Sequence, residues 1–149
     1  MLNDNLKLRG DLNIVIKDTN GNIKEDRKET NLIVDSGLAY ICSRMVDAND
    51  TAMTHMSVGS GTTSPVGGDT DLETVLGSRV TLDSTAHADN TVTYTATFAA
   101  GEGTGAVTEA GVFNASSAGT MLCRTTFAVV NKGADDIMVI TWTITLSAV

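Results

Sequence analysis

A chain of 149 residues suits one domain and can bury a core unaided, because domains of this size hide roughly 68–70% of their unfolded surface. The composition is 42% hydrophobic but only 4% aromatic, with 14 Gly, one Pro and abundant Thr and Val, which favours half-buried strands broken by turns. The net charge of −8 lies wholly in residues 45–149, where Arg79, Arg124 and Lys132 face eleven acidic residues, and a body this acidic is a poor ligand for nucleic acid or an anionic membrane.

Residues 1–44, by contrast, balance seven basic against seven acidic side chains. The opening MLNDNLKLRGDL has no apolar central run of a signal peptide, and no apolar stretch reaches membrane-spanning length. The expectation is a protein soluble when synthesised, made in a reducing cytoplasm. Leu12, Ile14 and Ile16 alternate with Asp11, Asn13, Val15 and Lys17, which predicts a strand with one apolar face. Asp18-Thr19-Asn20-Gly21-Asn22 then supplies an Asn-Gly pair suited to a type I′ hairpin turn. The return segment, residues 23–30, is almost wholly charged and reads as an edge strand or a projecting arm. Residues 1–31 therefore form a predicted N-terminal hairpin arm. Residues 32–149 form the body of a single domain spanning 1–149.

After Leu32-Ile33-Val34, either Asp35 or Ser36 can cap a helix of about residues 36–47, because Leu38, Ile41, Cys42 and Met45 fall on one helical stripe. Residues 53–59 read as a strand and residues 60–70 as a loop rich in turn formers. Asp69 or Thr70 can cap a short helical turn through Leu72, Val75 and Leu76. Strands resume at residues 79–82. In residues 92–98 and 140–146 apolar side chains alternate with threonines, so each segment has a greasy and a hydroxyl face. Residues 106–113 and 121–130 lie between them, separated by the loops AAGEGTG, NASSAGT and NKGADD. Strands so spaced, with no helices between, predict a mainly β protein: an antiparallel β-sandwich or jelly-roll-like domain with one short α-helix.

Residues that could carry chemistry lack the company that chemistry needs. His55 and His87 have no carboxylate, cysteine or second histidine at metal spacing. Gly59-Ser60-Gly61-Thr62-Thr63 lacks the lysine of a phosphate loop. Asp69, Asp71 and Glu73 lack the glycine and fixed spacing of a calcium loop and read as a capping loop. Glu102 and Glu109 could be posed as a glycosidase pair, but few aromatics are present to stack on a sugar. Cys42 and Cys123 are expected to be buried thiols. The sequence thus predicts no catalytic residue, no metal and no cofactor.

One resemblance emerges from a series of motifs. Asn31-Leu32-Ile33-Val34 with Gly37, then Met56-Ser57-Val58-Gly59-Ser60-Gly61-Thr62-Thr63-Ser64-Pro65, then Asp69-Thr70-Asp71-Leu72 and Arg79 come first. They are followed by Glu109-Ala110-Gly111-Val112-Phe113-Asn114, Gly119-Thr120-Met121-Leu122-Cys123-Arg124 and Ile140-Thr141-Trp142-Thr143-Ile144. Across roughly residues 31–146 this order resembles small structural virion proteins of tailed bacteriophages, either decoration or tail-fibre-like. The resemblance implies a virion protein that works by protein–protein contacts, most simply a capsid decoration (cement) protein that stabilises the head. A tail fibre, baseplate or neck component with host-receptor binding is the alternative. Its expected partners are itself, as a trimer or dimer, and other virion proteins such as the major capsid protein. Lys24, Arg27 and Lys28 of the arm are the candidate contacts to acidic partners.

Overall fold

The structure, a computed structural model, describes residues 5–48 and 50–148. Nine strands and one helix follow in order: β1 Leu6–Lys17, β2 Ile23–Ile33, α1 Asp35–Met45, β3 His55–Gly59, β4 Val80–Thr81, β5 Ser84–Ala88, β6 Thr91–Phe98, β7 Gly105–Phe113, β8 Met121–Lys132 and β9 Ile137–Ala148. All ladders are antiparallel and join in the order β4-β3-β7-β8-β2-β1-β9-β6-β5, one sheet curled into a half-barrel. The protein is therefore mainly β, as its alternating segments predict.

Period-two patterning explains β1, β9 and β6. Leu12, Ile14 and Ile16 of β1 are buried, as are Met138, Ile140, Trp142 and Ile144 of β9 and Tyr94, Ala96 and Phe98 of β6. Ladder partners share a face, so Ile14 opposite Ile140 and Tyr94 opposite Trp142 stack one apolar layer across three strands. The opposite face carries hydroxyls, with Thr93 and Thr95 beside Thr143 and Thr141. Met56, Val58, Val107, Ala110, Val112, Leu122 and Cys123 close the same core from β3, β7 and β8.

The two groups of strands are not separate sheets. They are stitched where Leu32 and Ile33 of β2 pair with Arg124 and Cys123 of β8. That stitch makes one curled sheet of what the sequence presents as two.

Several expectations are corrected here. The N-terminal hairpin is no projecting arm, since β1 pairs along its whole length with β9 and buries three core residues. Its charged return strand pairs with β1 along residues 23–31, and only Leu32 and Ile33 reach β8, so the charged stretch keeps one edge without a ladder, as an edge strand does. Charge is tolerated there because Glu25, Arg27 and Glu29, opposite Ile16, Ile14 and Leu12, are only half-buried and neutralise one another. Arg27 lies 2.7 Å from Glu25 and 3.7 Å from Glu29. The turn is not type I′: Gly21 alone has positive φ, +81°, and the Asp18 carboxylate accepts the Asn20 and Asn22 N–H groups.

The helix occupies the expected place but is rotated. Gly37 and Tyr40 are buried, with Ile41 packed on the core, whereas Leu38 and Cys42 are exposed and Met45 is 81% exposed. The buried stripe is the predicted one displaced by a residue. Its cause is Gly37, which rests so closely on the Leu122 carbonyl that any Cβ there would collide. Neither Asp35 nor Ser36 caps the helix. The N-cap is Val34, the Asp35 N–H donates to the Gly67 carbonyl, and the Ser36 hydroxyl donates to the Met121 carbonyl. Of the two cysteines expected to be buried, only Cys123 is, and burial pushes its thiol pKa up. The helical turn expected at residues 72–76 is absent. An extended strap replaces it, with Val75 bridged to Gly59.

Candidate functional site

The strap leads to the most polar part of the interior. Glu109 of β7, with no exposed surface, accepts hydrogen bonds from the backbone N–H groups of Gly61 (3.0 Å), Thr74 (2.8 Å) and Glu73 (3.0 Å). The neighbouring Arg124 of β8, 2% exposed, grips the same carboxylate through Nε (3.0 Å) and a terminal nitrogen (2.9 Å). Its other terminal nitrogen donates to Asp69 at 2.9 Å, and Glu73 stands 3.8 Å from the nitrogen that holds Glu109.

Burial opposes the Arg124 charge, but the hydrogen bonds and charges of Glu109 and Asp69 outweigh it and raise its pKa. The Glu73 carboxyl is held below its ordinary value by the hydroxyl and N–H of Thr63. Together these bonds form a clasp that fastens residues 60–76 onto β7 and β8. Gly59 and Gly61 make it possible, because a Cβ at either would strike Glu109.

The clasp consumes groups that otherwise suggest chemistry. Asp69 is spent on Arg124 and the Val66 N–H, and Asp71 on the Leu72 N–H and Arg79. Arg79 lies over the Phe113 ring at 3.6 Å and donates to the carbonyls of Ala115 and Ala118. Glu102 accepts the Ala99 N–H within its own turn, away from the clasp. His55 bonds the Thr54 hydroxyl and His87 the Asp89 carbonyl. Among the described residues no three His, Cys, Asp or Glu side chains group as metal ligands.

The three candidate contacts are dispersed. Lys24 is paired at 2.7 Å with Asp136, which is buried. Arg27, besides its carboxylates, donates to the Ala128 carbonyl at 2.9 Å and so bridges β2 to β8. Lys28 is exposed, with no ion pair among the described residues, beside a concavity of about 510 Å³ that also meets Arg9, Asp11, Asn13, Thr141 and Thr143.

Sequence reading missed the Glu109–Arg124 pair. Its faint signal was a glutamate and an arginine within otherwise apolar strand segments. Missed too were the edge strand β5 and a groove of about 560 Å³ between it and α1, lined by Tyr40, Met53, Thr85, His87, Val92 and Tyr94. Burial raises the Tyr94 phenol pKa, so it stays protonated beside that groove. No protein-family model, curated protein or solved structure matches the chain.

Proposed function

We propose that this chain is a structural component of a tailed-phage virion, a capsid decoration protein that acts by contact alone. The observation that carries this reading is where the phage-like motifs meet. Residues 56–65, 69–72, 109–114 and 119–124 are remote in sequence, yet they converge on the single clasp around Glu109 and Arg124. A resemblance spread over segments that must fold together speaks for a shared body.

The body suits passive attachment. Its buried charges are turned inward to hold a loop, and its outer faces are threonine-rich or charged strands. We read the curled sheet as jelly-roll-like, with β2-β1-β9-β6-β5 and β4-β3-β7-β8 facing each other over one core. A symmetric dimer or trimer of such bodies on a symmetric shell gains avidity of about 10²–10⁴ from simultaneous weak contacts. Of the candidate contacts, Lys28 is the one available to an acidic neighbour such as the capsid protein.

Quantitative mass spectrometry of purified particles tests the proposal. A decoration protein is present in a fixed ratio to the major capsid protein, at hundreds of copies per particle by the scale of a shell lattice. Copies in the tens place it in the tail, and absence from particles ends the virion reading.

A further inference from the structure

The strand β5 closes the sheet on one side without any of the usual protection. It pairs only with β6, in unbroken register, and all five of its residues are exposed. Natural edge strands are blunted by lysines, prolines, bulges or extreme shortness. The opposite edge, β4, is two residues long. Ser84-Thr85-Ala86-His87-Ala88 has none of these devices. Its side chains are small apart from His87, whose Nε2 is tied to the Asp89 carbonyl at 2.9 Å.

Two further features say what fits beside it. Thr85 and His87 stand opposite Tyr94 and Val92, on the core side, and both border the groove next to α1. A strand added to β5 would turn every second side chain toward that groove, whose lining includes Tyr40, Met53 and Val92 and also Arg44, whose guanidinium is held by the Asp50 carbonyl. At either end of β5 stands an exposed acid, Asp83 and Asp89, with no ion pair among the described residues. The Thr97 hydroxyl donates to one oxygen of Asp83 at 2.6 Å.

We propose that β5 is a strand-addition site, which takes an extended segment of a partner protein with apolar residues at alternate positions and a basic residue at each end. The proposal rests on the reading that this protein works by contact, and it names the contact. A second copy of this chain fits worse. Antiparallel pairing of β5 with itself about Ala86 sets Asp83 against Asp89 of the second copy at both ends, between two molecules of net charge −8.

The test is an amide NMR titration of the full isotope-labelled chain with the capped peptide Lys-Thr-Val-Thr-Val-Thr-Lys, whose valines fall opposite Thr85 and His87 when its lysines meet Asp83 and Asp89. Shift changes and slowed exchange are expected at residues 84–88 and along the groove. A peptide with Glu at both ends should bind about tenfold more weakly. One with Pro at its centre should not bind, since it lacks a ladder donor.

The double change Asp83→Asn, Asp89→Asn should abolish the preference for Lys over Glu, with the spectrum elsewhere unmoved. Equal binding of the Lys and Glu peptides, perturbation away from β5, or self-association that protects β5 amides without peptide would each overturn the proposal. Such a result leaves the particle assay untouched. Absence from particles, in turn, leaves the peptide result standing.

Discussion

The two halves of the sheet are held by opposite kinds of interaction. β1, β9 and β6 interlock through Leu12, Ile14, Ile16, Ile140, Trp142 and Phe98, apolar side chains whose burial is non-directional and spread over many contacts. β3, β7 and β8 also bury apolar residues, but their loop is held by one carboxylate and one guanidinium with almost no solvent. The first kind tolerates small errors of shape. The second depends on every partner being present, because a buried charge without its counterion is costly.

The largest effect expected is from deleting residues 1–31. This removes the central strand β1 and strips β9 of a full-length partner, so cooperative thermal unfolding followed by circular dichroism should disappear. A truncated chain that still melts sharply would restore the arm that the charged sequence suggested.

Next come the two halves compared directly. Arg124→Ala should cost about 3–5 kcal/mol by leaving Glu109 uncompensated, and Trp142→Ala about 3–5 kcal/mol by opening a cavity. Urea midpoints give both totals, and hydrogen exchange separates them. Residues 60–76 should lose protection selectively in the arginine variant and only with the whole domain in the tryptophan variant.

Gly37→Ala should cost about 1–3 kcal/mol by pushing α1 off the Leu122 carbonyl, measured as a fall in urea midpoint with unchanged slope.

A smaller, pH-dependent effect concerns Lys24. Its hydrogen bond, with that of the Gly133 N–H, holds the Asp136 carboxyl below its ordinary value of 3.8. A depressed folded-state pKa contributes stability above that range, which is lost as pH falls through the folded value. Lys24→Met should therefore be less stable than the parent at neutral pH, and the gap should close in acid below pH 3.8. Lys28→Ala, at an exposed position, should change stability by no more than about 0.5 kcal/mol.

How much of this the sequence discloses follows the same division. The alternation in residues 92–98 and 140–146 states its own periodicity, so β6 and β9 are legible from local pattern. The ends of α1 are nearly so, but its rotation is not. The stripe through Leu38 and Met45 is as good as the one through Gly37 and Tyr40 until the Leu122 carbonyl arrives from β8.

The strand β2 reads as an arm although its charges are satisfied laterally, by Glu25 and Glu29 around Arg27, which composition alone cannot reveal. The clasp was hidden for a similar reason. Glu109 and Arg124 become partners only when β7 and β8 pair, and Gly61 and Thr74 reach them from a loop far away in sequence. The edge β5 has too few apolar residues to show a period at all.

The clasp is tested most directly by a double-mutant cycle on Glu109→Leu and Arg124→Met, read by urea unfolding. If the clasp holds as described, each single change costs about 3–5 kcal/mol and the double exceeds Glu109→Leu alone by only about 1–2 kcal/mol, a coupling of about 2–3 kcal/mol. Costs that simply add would contradict it, for they would mean that the two buried charges stand side by side without holding the loop between them.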